Sequence, residues 1–101
     1  MKILSLTTLR AFWENPDYQD SETPIKEWYA VASKADWPTP GAIKDKYGNA
    51  SFVANNRVVF NIGGNKYRLV TAVAYATGMM YVKFIGTHAQ YDEIDAATVE
   101  L

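Results

Sequence analysis

The chain has 101 residues, 49% of them hydrophobic and 14% aromatic, with ten Lys or Arg against eleven Asp or Glu for a net charge of −1. This length supports one domain with a single modest core over residues 1–101, and the composition excludes a disordered chain. The charge excludes a protein that coats nucleic acid through an overall basic surface, and the lack of cysteine excludes a disulfide framework or a thiolate metal site.

No apolar run approaches the roughly 20 residues that span a bilayer. The opening stretch MKILSLTTLRAFWENPD has neither the apolar run nor the small-residue cleavage site of a signal peptide. The expectation is a cytoplasmic protein with no membrane partner. The sequon Asn49-Ala50-Ser51 matters only in a secreted chain and is set aside.

Ile3 to Leu6 reads as a short first strand. Thr7 or Thr8 then offers a helix cap, Leu9, Phe12 and Trp13 follow at helical spacing, and Pro16 ends the segment, because the residue before proline is pushed out of the helical region. Thr23-Pro24 opens a second helix, with proline where its missing N–H costs nothing. Ile25, Trp28, Tyr29, Ala32 and Ala35 form its apolar stripe, and Asp36-Trp37-Pro38 stops it. Trp37 to Ala50 reads as a loop with one helical turn over Ala42 to Tyr47. The tryptophans at 13, 28 and 37 lie on or beside these stripes and are assigned to the core rather than to base stacking.

The second half changes period. Ser51 to Ala54 and Arg57 to Asn61 flank Asn55-Asn56, and asparagine tolerates the positive φ of a tight hairpin turn. Gly63-Gly64-Asn65 and Thr77-Gly78 mark two further reversals, with runs rich in valine, tyrosine and phenylalanine between them. A four-strand antiparallel meander results. Thr87 can cap a helix over His88 to Ala97. Two helices, a mainly antiparallel sheet and a short C-terminal helix make an α+β arrangement.

Charge is unevenly spread. Residues 44 to 83 carry Lys44, Lys46, Arg57, Lys66, Arg68 and Lys83 against one acid, Asp45, whereas residues 92 to 100 carry Asp92, Glu93, Asp95 and Glu100 without a base. Alternation puts Tyr67, Leu69, Thr71 and Val73 on one strand face, and Lys66, Arg68, Val70 and Ala72 on the other. Lys83 from the next strand is expected to join Lys66 and Arg68 there, a convergence suited to phosphodiester oxygens. A row of solvated cations that discourages strand pairing would look the same in sequence.

His88 is the only histidine, and imidazole suits proton transfer near neutral pH. Tyr91 lies at i+3 on the same helical face, and Asp92 at i+4 can orient the ring. A first-turn acid favoured by the helix dipole is an equal reading of Asp92. The acids at 92 to 95 beside one histidine do not make a metal site. No nucleophile elbow, phosphate-cradling loop or dinucleotide fingerprint is present, so no cofactor is expected.

The runs VVFNIGGNKYRLV and YVKFIGTHAQYDEID, with ILSLTTLRAFWENPD, KEWY and KADWPTPGAIK earlier, resemble the HigB toxin family within the RelE-like toxins of type II toxin–antitoxin systems. The resemblance covers nearly the whole chain. It implies a RelE-like fold and a ribosome-associated mRNA endonuclease that is held inactive by a helix-turn-helix antitoxin. Family-like positions here are Asn61, Gly64, Asn65, Arg68, His88, Tyr91 and Asp92. Members of the superfamily differ in which groups act as acid and base, so the resemblance does not assign those roles. The expected chemistry is metal-free transesterification at a ribose 2′-OH. His88 would act as acid or base, Tyr91 as its partner or as an orienting group, Arg68 with Lys83 on the phosphorane, and Lys66 and Arg57 on the RNA backbone. A noncatalytic RNA- or ribosome-binding domain, or a protein-interaction module, would use the same cations without needing His88 and Tyr91 together.

Overall fold

The computed structural model describes residues 1–101. A short strand β1 (Lys2–Leu4) leads straight into helix α1 (Leu6–Glu14). A 3-10 helix over Pro16–Ser21 and helices α2 (Glu22–Lys34) and α3 (Pro40–Lys46) complete the first half. Strands β2 (Ser51–Val53), β3 (Arg57–Ile62), β4 (Tyr67–Ala74) and β5 (Met79–Thr87) follow, and the four-residue helix α4 (His88–Tyr91) comes after them. The sheet order is β1-β5-β4-β3-β2, antiparallel except where β1 runs parallel to β5. This is the expected α+β architecture.

Several element ends differ from the sequence expectation. Ser5, in left-handed backbone at φ 77° and ψ 38°, starts α1 without a side-chain cap, so neither Thr7 nor Thr8 caps it. One such residue turns the chain abruptly from the sheet edge into the helical layer. Pro16 ends α1 as expected but opens a 3-10 helix, in which the Asn15 side chain accepts a bond from the Asp17 N–H at 2.9 Å. Helix α2 runs on directly from that segment and begins at Glu22 rather than at Thr23-Pro24. The turn expected within 42–47 is the longer helix α3, capped by the Thr39 side chain. The Asn55-Asn56 hairpin is present, both residues at positive φ (65° and 56°), the geometry a two-residue hairpin loop demands.

Register sorts the sheet into two faces. On one, Val58, Phe60 and Ile62 of β3 pair with Thr71, Leu69 and Tyr67 of β4, and all six are buried. Leu9, Trp13, Ile25, Trp28 and Ile43 from the helices close over them. Phe60 sits at the centre, its ring 5.3 Å from Trp28, 5.4 Å from Tyr47 and 6.4 Å from Trp37. The three tryptophans are core residues. The outer face has a smaller apolar cluster in which Val59, Val70 and Ala96 are buried with Tyr91, Ile94 and Val99 against them.

The C-terminal tail covers that outer cluster, which is why helix α4 stops at Tyr91 instead of reaching Ala97. Past Tyr91 the chain tightens into turns, with the Glu93 N–H on the Gln90 carbonyl and the Ile94 N–H on the Tyr91 carbonyl (both 3.2 Å), and the Asp95 side chain then accepts the Ala97 N–H at 3.0 Å. Arg57 holds the tail in place. Its side chain is 9% exposed and donates to the carbonyls of Ala96 (3.2 Å) and Val99 and to the Glu100 carboxylate (3.0 Å). Asn55 adds a bond to the Ala97 carbonyl at 2.7 Å. Arg57 therefore occupies an enclosed clamp, not the open strand position expected for an RNA-backbone contact.

On the helical side, Asp20 of the 3-10 helix accepts hydrogen bonds from both the Tyr67 hydroxyl and the Lys66 amine. These bonds hold the Asp20 carboxyl below its usual range. Burial, aided by the Asp20 bond, pushes the Tyr67 phenol up to about 12. A phenol that binds its proton more tightly in the folded chain adds stability below its unfolded pKa near 10 and loses it as pH rises towards 12.

Two outcomes follow from these arrangements. Arg57→Ala should lower urea-unfolding stability by about 2–3 kcal/mol, the scale of lost charge-assisted hydrogen bonds to backbone, while Lys66→Ala leaves the midpoint near the parent's because its ion pair is exposed. In alkaline titration followed by tyrosinate absorbance, Tyr67→Phe should remove the component near pH 12 and flatten the loss of stability above about pH 10. An unchanged alkaline limb in that variant would show that Tyr67 does not govern it.

Candidate active site

Arg68, His88 and Tyr91 lie towards one end of the sheet. Arg68 stands between Asn61 of β3 and Gly86 of β5, so the side chain on one flank is short and on the other absent. Its guanidinium donates to the carbonyls of Asn65 (3.0 Å) and Tyr67 (3.3 Å) and enters no ion pair. With carbonyls rather than carboxylates as partners, its charge is not neutralised by the protein.

The strand β5 ends in Thr87, whose side chain accepts the Gln90 N–H at 3.1 Å while the Gln90 carboxamide accepts the Thr87 N–H at 2.9 Å. This reciprocal pair is a capping box and starts α4. It places His88 as the first helical residue, with its backbone N–H bonded to the Lys66 carbonyl at 3.2 Å. Helix α4 is thereby tied to the β3–β4 turn beside Arg68. That turn runs through Gly63 and Gly64, both at positive φ (62° and 69°), which glycine adopts without a Cβ penalty.

His88 is about half exposed, and its Nδ1 lies 3.2 Å from the Asp92 carboxylate one turn later. Nδ1 is thus engaged and Nε2 is the nitrogen left to exchange a proton with a ligand. Tyr91 is partly buried, its ring packed on the Val59–Val70 cluster, so this phenol is anchored from below on the face that carries Arg68. An imidazole with a carboxylate behind it, a phenol and an uncompensated guanidinium can together exchange protons with, and stabilise charge on, a phosphodiester.

The other expected cations do not join them. Val70 pairs with Phe84 and Thr71 with Val82, which makes Lys83 the extra residue of a β-bulge. A bulge takes its residue out of the alternation. Lys83 instead bonds Glu100 at 2.9 Å and lies 5.9 Å over the Tyr81 ring. Lys66 precedes β4 and turns to the helical side, to Asp20 and over the ring of Tyr67. Arg57 is committed to the tail. The convergence of Lys66, Arg68 and Lys83 expected from alternation is replaced by a single free guanidinium.

The structure also adds residues to the site's surroundings. Glu100 bridges Lys83 and Arg57, and these cations hold its carboxyl below the usual range, Lys83 first. Gln90 reaches from α4 to the Tyr18 hydroxyl of the 3-10 helix at 3.1 Å. The expectation of a Thr87 cap leaves Gln90 out, although Thr-x-x-Gln is itself the capping-box spacing. Nothing in the sequence pairs Gln90 with Tyr18, 72 residues earlier.

A model of the HigB toxin family, described as the RelE-like toxic component of a toxin–antitoxin system, matches residues 21–94. Over 79 residues the chain is 27% identical to the mRNA interferase HigB of Escherichia coli O6:H1 strain CFT073, which takes in 76% of this chain and 77% of that protein. The family match runs from the start of α2 through strands β2 to β5 and α4, and so contains Arg68, His88, Tyr91 and Asp92. The helices on a mainly antiparallel sheet agree with a RelE-like fold, and the chain belongs to the HigB toxin family.

Proposed function

We propose that this protein is an mRNA endoribonuclease, the toxin of a toxin–antitoxin pair, and that it cuts messages on the ribosome by metal-free transesterification. The observation that carries the proposal is the half-exposed His88 imidazole, its Nδ1 held by Asp92, on the same end of the sheet as Arg68 and Tyr91. Family membership and the mRNA interferase activity in the relative's name support it.

In the reaction, a base takes the proton from a ribose 2′-OH and the freed oxygen attacks the adjacent phosphorus. The bond to the 5′-oxygen breaks as an acid protonates that oxygen, leaving a 2′,3′-cyclic phosphate and a 5′-OH. His88 Nε2 fills one proton-transfer role, backed by Asp92 on the opposite nitrogen. Tyr91 supplies the second group or orients the first. Arg68 stabilises the charge that gathers on the phosphorane oxygens. The need for a 2′-OH makes the chemistry specific to RNA. Lys66 contacts the RNA backbone by exchanging Asp20 for a phosphate, an exchange an exposed ion pair permits. Lys83 does so only by giving up Glu100. Arg57 serves the fold. A helix-turn-helix antitoxin is the partner, and the cytoplasm is the place of action. No helix is long and apolar enough to cross a membrane.

Single-turnover cleavage of mRNA on saturated ribosomes, measured beside binding, tests this assignment. His88→Ala and Tyr91→Phe should each slow cleavage by about 10²–10⁴-fold, the usual contribution of one proton-transfer group, with binding retained. Arg68→Ala should slow it as well. Parental rates in His88→Ala would make the histidine structural.

His88 and Asp92 form a pair, and no three His, Asp or Glu side chains converge in the fold. Cleavage should therefore survive excess chelator on ribosomes whose integrity is verified separately. Loss of cutting that added metal restores would replace the metal-free route.

A further inference from the structure

Gln90 has both ends of its carboxamide engaged. Its Oε1 accepts the Thr87 N–H at 2.9 Å, and its Nε2 donates to the Tyr18 hydroxyl at 3.1 Å. We infer that Gln90, braced by Tyr18, is a positioning residue that sets His88 against Asp92 and thereby fixes which imidazole nitrogen carries the proton. The kinetic consequence rests on the ribonuclease proposal above; the geometric one does not.

A helix of four residues cannot hold itself together, because nucleating one turn fixes many dihedrals for few hydrogen bonds. Helix α4 depends on external ties, and the Gln90 carboxamide supplies two of them. The Tyr18 end is firm. Its ring stacks on Phe12 at 4.4 Å and 5°, and its carbonyl accepts the hydroxyl of the fully buried Ser21 at 2.6 Å. At the other end the carboxamide lies against bare strand backbone. A Cβ at Gly86 would come within 2.8 Å of Gln90 Oε1 and 2.5 Å of the Phe84 ring, so any side chain there would push the carboxamide or the ring aside.

His88 and Asp92 meet only while the turn between them is helical, as the Asp92 N–H bond to the His88 carbonyl (3.0 Å) shows it to be. In that turn the carboxylate selects the tautomer with hydrogen on Nδ1, and leaves Nε2 bare and able to accept a proton. A frayed α4 releases Asp92, the two tautomers mix, and the form protonated on Nε2 cannot accept a proton at that atom.

The single histidine of this chain gives the test one pair of ring-nitrogen signals. In nitrogen NMR of the full-length protein on the alkaline side of the imidazole titration, the parent should show hydrogen on Nδ1 and a bare Nε2. In Gln90→Met and in Tyr18→Phe those signals should move towards a tautomer mixture, and single-turnover cleavage at saturating RNA should fall roughly 10-fold or more, in keeping with small misplacements of a catalytic group. The half-saturation point should stay where it is. Gln90→Glu, whose carboxylate can accept from both the Thr87 N–H and the Tyr18 O–H, should return both readouts towards the parent. Ring-nitrogen signals unchanged in both disruptive variants, even with a lowered thermal midpoint, would overturn the inference. A parent protein that cleaves no RNA would sink the ribonuclease proposal alone, and the nitrogen spectra would still decide the positioning.

Discussion

The placement of β4 between β3 and β5 governs the rest of this molecule. With Arg68 set between Asn61 and Gly86, Tyr67, Leu69 and Thr71 face the helices. A slip of one residue would exchange the faces, driving a guanidinium into the core and exposing Tyr67, Leu69, Thr71 and Val73. The apolar row under α1 and α2 is therefore what holds Arg68 outward. The same register brings Thr87 opposite Tyr67, which is where β5 must end for α4 to begin beside the β3–β4 turn. Core packing on one side of the sheet and the location of the candidate chemistry on the other are two results of a single pairing.

The second constraint is charge. Ten cations and eleven acids nearly cancel over the chain, but the cancellation is local and selective. Glu100 alone engages Arg57 and Lys83, and Asp20 takes Lys66. Arg68 is left with carbonyl partners. A carboxylate beside Arg68 would compete with a phosphate for the same donors, whereas a carbonyl leaves the net charge intact. The acidic tail thus neutralises Arg57 and Lys83 on the outer face and leaves Arg68, towards the end where His88 and Tyr91 lie, with its charge uncompensated.

What the sequence made legible depended on range. Strand alternation, the Asn55-Asn56 turn, the Thr87 cap and the tryptophan core rest on neighbours within a few residues, and each is found in the structure. The Lys83 bulge is a property of two strands together, and the Lys83 bond to Glu100, 17 residues further on, is invisible to a count along one strand. Residues 92–97 have helical composition, but they follow the outer cluster and the Arg57 clamp, whose hydrogen-bond partners lie 39 to 43 residues away. In the site, the sequence indicated the types of group and their adjacency on α4. It did not indicate which cations would already have acidic partners, because an ion pair between distant segments leaves no local pattern.

The only histidine stands on the shortest helix, at the first position of a turn that cannot persist alone. A side chain built there is exposed, which suits the proposed reaction with a long polymer, since a polymer approaches an open face more readily than a deep pocket. Exposure normally costs definition, because a surface side chain on a frayed turn samples many rotamers. Here definition is restored from outside the helix. Asp92 engages one ring nitrogen, the Lys66 carbonyl holds the backbone, and the Thr87–Gln90 box closes the turn. Tyr18 carries that constraint back to the aromatic layer of Phe12 and Tyr67. The rigidity of the site is thus borrowed from the main core through the 3-10 helix, so a change in that core should be felt at His88 before it is felt at Arg68, whose strand is fixed on both flanks.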